Sequence, residues 1–171
     1  MSSASRGTRA RTDVHAVRLR PMTSAEFDAY MASAVDGYAA AVLRAGRVPD
    51  DAGANELAVS SFERLLPDGL DTAQHALLVA EDDATGARVG ILWFGPSSDD
   101  DSRAWIYDVV VEEELRGQGW GRAVLTAFEP EAVSRGFTSA GLNVYGDNLA
   151  ARHLYETMGY GETSRQMAKS L

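Results

Sequence analysis

The stretch "RAWIYDVVVEE", Arg103–Glu113, is apolar along almost its whole length, and "ELRGQGWG" and a fresh apolar run follow it directly. A strand, a glycine turn and a helix start therefore stand in immediate succession. Trp105, Tyr107, Val109 and Val111 alternate onto one face of that strand, and Ile106, Asp108 and Val110 onto the other. Apolar side chains on both faces require cover on both sides. The layers that provide such cover are helices packed on a sheet, so the expected class is α/β.

The remaining segments fit that class. "VHAVRLRP", from Val14, alternates apolar and polar residues and stops at Pro21, as a half-buried first strand should. Thr23 followed by Glu26 is a capping box, and Phe27, Tyr30, Met31, Ala34, Val35, Tyr38 and Val42 recur at helical spacing up to Gly46. A second helix is expected over Asn55–Leu66, closed by Pro67. "HALLVAED" and "ARVGILWFGP" around "DATG" read as an antiparallel hairpin. Gly119–Arg135 turns helical, with Pro130 expected to kink it. "TSAGLNVYG" is a strand, "DNLAARHLYETMG" a capped helix, and "YGETSRQMAKSL" a closing strand pair or hairpin half. The Asp99–Asp101 run reads as a solvated turn.

A chain of 171 residues, 45% of them hydrophobic, suits one sizeable core, so one domain over residues 14–171 is expected, with a disordered tail at 1–13. That tail lacks the apolar region of a secretory signal, and no run approaches a transmembrane span. There is no cysteine, and His15, His75 and His153 lack metal-ligand spacing, so neither a metal centre nor a thiol nucleophile is expected and a cytoplasmic location is the default. The net charge is −9; the tail's three arginines and one aspartate contribute +2, leaving −11 on the rest. Such acidity opposes nucleic-acid binding and favours a cationic partner.

A glycine turn between a strand and a helix binds anions: unpaired N–H groups point outward, the helix dipole adds positive charge, and glycine admits close approach. Arg116 and Arg122 add full charges beside Gly117, Gly119 and Gly121, so the expected anion is a phosphate or pyrophosphate. A Walker loop would need Lys-Ser or Lys-Thr directly after its last glycine, and Arg122-Ala123 follows Gly121 instead. A dinucleotide fingerprint needs its third glycine three positions after the second, whereas Gly121 comes two after Gly119.

The run Arg116, Gly117, Gln118, Gly119, Trp120, Gly121 resembles the pyrophosphate loop of the GCN5-related N-acetyltransferases (GNAT), Gln or Arg, x, x, Gly, x, Gly or Ala. "NVYGDNLAARHLYETMGY" resembles that family's strand, Asn-capped helix and Leu-Tyr pair, in the family's order. "LLPDGLDTAQHALL", "VGILWFG", "IYDVVVEEELRGQGWG" and "MAKSL" look like a subgroup of its bacterial members. The resemblance implies a GNAT fold, a mixed, mostly antiparallel sheet of about six to seven strands flanked by helices. It also implies acetyl-CoA as cosubstrate, an amine-bearing small molecule or peptide as acceptor, and a homodimer.

By the same resemblance, the backbone of Val109, Val110 and Val111 would hold the pantetheine and the amides of Gly117 to Arg122 the pyrophosphate. Asn148 would touch the cofactor arm, or serve only as a helix N-cap. Tyr155 would protonate the leaving thiolate, with a core aromatic as the plainer reading. Asp108 is the one charge on its strand face, so it must be paired or functional. It is expected to take the amine proton, directly or through water, or to bind a cationic acceptor; the structural alternative is a hydrogen bond to backbone or a tyrosine. Tyr30 and Tyr38, on the first helix, and His75 are candidate acceptor residues, though helical packing or exposure accounts for them equally. Two other functions fit the same residues: transfer from another acyl or aminoacyl donor, and a CoA-binding sensor without turnover.

Overall fold

The computed structural model describes residues 15–165, Met167 and Lys169, so the N-terminal tail expected to be disordered lies outside the described residues. Five strands form one sheet in sequence order: β1 (Val17–Pro21), β2 (Ala76–Asp82), β3 (Arg88–Pro96), β4 (Arg103–Val111) and β5 (Ser139–Leu142). The first three pairings are antiparallel and β4 pairs β5 in parallel. A parallel pairing needs a crossover, and α3 (Trp120–Ser134) supplies it. Two helices, α1 (Ser24–Arg44) and α2 (Asp51–Leu65), precede β2, and α4 (Leu149–Thr157) follows β5.

β2 and β3 are buried along almost their whole length because helices cover both sides of the sheet. Leu78, Leu92, Phe94 and Ile106 pack with Val124, Leu125 and Phe128 of α3. On the opposite face, Leu77, Val79, Ile91 and Trp93 pack with Tyr30 of α1 and Phe62 of α2. Phe94 and Phe128 meet edge to face at 5.0 Å in the middle of the α3 side.

The capping box at Thr23 forms as read: Thr23 Oγ1 accepts from the Glu26 amide at 3.3 Å, and Glu26 Oε2 accepts from the Thr23 amide at 2.8 Å. α2 starts at Asp51, four residues before the expected Asn55, because Asp50 caps it by accepting from the Gly53 amide at 2.8 Å. α3 runs unbroken through Pro130, which is exposed. The Asp99–Asp101 loop is internally bonded, Asp99 to Ser97 and Arg103 and Asp100 to Ser102.

Three further expectations are corrected. Among the described residues the sheet has five strands, not six to seven, because the described part of residues 160–171 forms none. There Glu162 pairs locally with Arg165 at 2.8 Å and Met167 is 86% exposed, so the segment lacks the buried alternate side chains that hold a strand to a sheet. β4 does not keep one alternation. Trp93 pairs with Asp108 but Phe94 with Ile106, leaving Tyr107 as the extra residue of a β-bulge. Tyr107 and Asp108 thus both face α1, while Ile106 and Val109 face α3. Nor is β4 covered on both sides throughout, since Val110 is 38% exposed.

Replacing Phe128, 1% exposed, by alanine should remove about 3–5 kcal/mol of stability, read as a lower urea midpoint with an unchanged slope.

Candidate functional site

β4 and β5 pair only from Arg103–Ser139 to Ile106–Leu142. Beyond that point Tyr107–Val111 of β4 has no strand on this edge among the described residues, and its backbone groups face an open gap. The chain leaves β4 through a short 3-10 turn at Glu113–Leu115 and enters the glycine turn. Gly117 and Gly119 have φ of 73° and 95°, a conformation in which a Cβ would be strained. Gly119 is the N-cap of α3 and has no side-chain capping bond. Among the described residues, no amide from Gly117 to Arg122 donates a hydrogen bond within the chain. Six N–H groups at a helix start are therefore left without an acceptor in the chain, the condition in which such amides can take an anion.

The side chains around the turn hold its shape. Arg116 Nε donates to the Val111 carbonyl at 3.1 Å, and Gln118 Nε2 donates to the Glu114 carbonyl at 2.6 Å. Trp120 is buried at 7% exposure, so it offers a ligand its backbone and not its ring. His15, which sequence reasoning did not select, stacks on the Trp120 indole at 3.8 Å between centroids and bonds to the Gln118 carbonyl at 2.9 Å. Its signal in sequence was nil, since 103 positions separate it from Gln118.

α4 is pinned to the start of α3. Arg122 Nη2 donates to Thr157 Oγ1 at 2.5 Å, and a Cβ on Gly121 would meet Leu154 at 3.0 Å. Asn148 is the N-cap of α4, its Oδ1 accepting from the Ala151 amide at 3.1 Å. Tyr155 packs against the α3-side core and lies edge-on to Tyr160 at 5.7 Å. Burial, and then the negative charge of Asp108, push the Tyr155 phenol above its ordinary pKa, so its proton is retained.

On the other face, Tyr30 donates its hydroxyl hydrogen to Asp108 Oδ2 at 3.0 Å. Burial raises the Asp108 carboxyl; the Tyr30 hydrogen bond and the Val109 amide pull it back in part. Tyr30 itself is pushed upward by burial, then by the Asp108 charge. Beside this pair stands an aromatic wall, Tyr107 stacked on Trp93 at 4.7 Å and tilted against His75 at 5.3 Å. The Trp93 indole donates to His75 Nδ1 at 3.0 Å, so the neutral imidazole carries its hydrogen on Nε2. Burial lowers the His75 pKa and favours that neutral form. A Cβ on Gly95 would come within 2.6 Å of the His75 ring, which makes glycine necessary there.

The fold thus joins Tyr30 directly to Asp108 and packs His75 against Trp93 and Tyr107, the residues that pair with and precede Asp108 on the sheet. Tyr38 stands apart, edge-on to Phe62 at 6.2 Å with its hydroxyl toward Arg47. A groove of about 470 Å³ between α1 and α2, lined by Asp36, Arg44, Asp51 and Asn55, contains none of the sequence-selected residues. Trp93 and Tyr107 carried no separable signal, because they read as ordinary apolar strand positions until the bulge turned Tyr107 toward them.

Residues 37–160 match the model of the acetyltransferase (GNAT) family. The chain is 35% identical over 160 residues to the uncharacterized N-acetyltransferase YycN of Bacillus subtilis, covering 91% of this chain and 99% of that one. The crystal structure of YycN superposes with a TM-score of 0.82 at 33% identity, over 91% of this chain and 98% of the other. A shorter match, 34% over 61 residues, is to the ribosomal protein bS18-alanine N-acetyltransferase of Escherichia coli, covering 36% of this chain and 41% of that protein. The chain belongs to the GNAT family of acetyltransferases, whose members use acetyl-CoA.

Tyr30→Phe removes a donor that stabilises ionised Asp108. The Asp108 carboxyl should then titrate at higher pH than in the wild type, as followed by its carboxyl carbon resonance in NMR. Because burial already raises this group in the folded state, its contribution to stability is greatest when protonated and is lost as pH rises through its folded pKa. The substitution extends that window upward.

Proposed function

We propose that this chain transfers an acetyl group from acetyl-CoA to a primary amine of a cationic small molecule or peptide, by direct attack with both substrates bound. The single observation that carries this reading is the set of unused amides from Gly117 to Arg122, continuous with the open edge of β4. The residues fit CoA: amides at a helix start suit a diphosphate, and a free strand edge suits an amide-bearing pantetheine arm laid alongside Val109, Val110 and Val111. Arg116 and Arg122 add positive charge at the turn, and Asn148 stands at the start of α4 with its Oδ1 already engaged as the cap.

Acetyl-CoA supplies an activated thioester. The chain's own residues must then take a proton from the attacking amine and deliver one to the departing thiolate. Asp108 is the acceptor of the first proton, directly or through water, and its raised pKa brings a carboxylate closer to the range where it works as a base. Tyr155 delivers the second, because burial keeps its phenol protonated until the thiolate forms. The amine nitrogen bonds to the thioester carbonyl carbon, the C–S bond breaks, and both protons are accounted for. Tyr107 and His75 form a wall beside Asp108, and the chain's net charge of −9 favours a cationic acceptor.

Incubating the protein with acetyl-CoA and a panel of polyamines, aminoglycosides, amino acids and peptides, and following free thiol, tests the reading. Amine-dependent release is expected. CoA binding without acetylation of any amine would instead favour the sensor module, and turnover only with a longer acyl donor would favour that alternative.

Tyr155→Phe is expected to lower kcat by about 100-fold or more. The kcat/KM of the wild type should fall as pH drops through the raised pKa of Asp108, where the base becomes protonated. In Asp108→Asn that acid limb disappears together with most of the rate.

A further inference from the structure

The glycine turn is made of the most flexible residues in the chain, yet a diphosphate site needs its amides fixed in direction before the ligand arrives. Gln118 lies between glycines at φ 73° and 95°, and its side chain ties the turn back to the Glu114 carbonyl at 2.6 Å, but only a bond to the Gln118–Gly119 peptide's own groups sets that peptide's plane directly. A contact from outside the turn does so. His15 lies just ahead of β1, and its Nε2 is 2.9 Å from the Gln118 carbonyl oxygen. That oxygen only accepts, so Nε2 carries the hydrogen.

The imidazole is itself held in place. It stacks on the indole of Trp120 at 3.8 Å with 16° between the planes, and that indole is buried. Its Cδ2 lies 3.6 Å from where a Cβ of Gly119 would be, so the ring covers the turn from behind. In a trans peptide the C=O and N–H point in opposite directions. A Gln118 carbonyl tied toward His15 therefore turns the Gly119 N–H away from His15, outward from the turn.

We infer that His15 is a positioning residue of the diphosphate site, locking the Gln118–Gly119 peptide so that the Gly119 amide faces the bound anion. This rests on the acetyl-CoA reading above and adds to it a residue far from the loop in sequence. His15 touches neither the thioester nor the amine, so its removal acts on cofactor binding and not on proton transfer.

Two variants separate its two contacts. His15→Phe keeps an aromatic ring on Trp120 and loses the donor; His15→Gln restores an N–H at a similar reach without the ring. Affinities for CoA and for pantetheine, which lacks the diphosphate, are measured by titration calorimetry, with the amide ¹⁵N spectrum of the ligand-free protein recorded in parallel. His15→Phe should weaken CoA by about 3- to 10-fold, the worth of one neutral hydrogen bond, and leave pantetheine unchanged. The KM for acetyl-CoA should rise by the same factor with kcat preserved. The Gly119 resonance should shift in His15→Phe and return toward its wild-type position in His15→Gln, which should also regain most of the CoA affinity.

Unchanged CoA affinity in a folded His15→Phe protein overturns the inference while leaving the acetyl-CoA reading intact. So does an equal loss of CoA and pantetheine, which marks general damage to the fold. A wild-type protein that binds neither ligand overturns the acetyl-CoA reading and this inference with it.

Discussion

The separation of β4 from β5 after Ile106 is the constraint on which the rest of the site depends. Two parallel strands joined by a helix would ordinarily pair along their full length, and a closed pair would leave no room beside β4. Here the ladder of β4 is interrupted by the bulge at Tyr107, the kind of irregularity that bends a strand, and β5 ends at Leu142. Where the strands do pair, the fit is close: a Cβ on Gly141 would stand 2.9 Å from the Trp105 ring. The parallel pairing is thus tight at one end and absent at the other. The open end leads into the glycine turn, so one strand supplies both a free edge and the entrance to a helix N-terminus.

The same bulge sorts the chemistry onto two faces. Tyr155 packs with the α3-side core and Asp108 faces α1 and its Tyr30, yet the Asp108 charge still reaches Tyr155. Burial acts on both groups in the direction of the neutral form, but that means different things for each. For the tyrosine it preserves a proton to give. For the aspartate it raises the tendency to take one, tempered by the Tyr30 and Val109 hydrogen bonds. The proposed transfer to an amine asks for one group of each kind, a proton acceptor and a proton donor.

Much of this was legible in sequence because it is local. The capping box at Thr23 and Glu26, the hairpin around Gly86 and the glycine turn at 117–121 are each set by residues a few positions apart, and all three form as read. The failures are also physical. Asp50 lies in a run of turn residues, which hides its capping role in the sequence, and α2 begins earlier than expected. Residues 160–165 were expected to open a closing strand, and instead Arg165 pairs locally with Glu162. That Asp108 needs a partner follows from its place on an apolar strand face. Its partner, 78 positions away on α1, was beyond any local rule.

The sequence by itself determined the layered α/β class and the position of the glycine turn, since each follows from periodicity or from a short motif at fixed spacing, and its motifs carried the resemblance to the family. Only the tertiary structure decided which faces the β4 side chains occupy, how far β5 follows β4, and that His15 buttresses the glycine turn. A bulge costs one residue of register and leaves no mark in an apolar run, because Tyr107 suits either face. A contact across 103 residues is made by the packing of β1 against the start of α3, and no spacing along the chain encodes it.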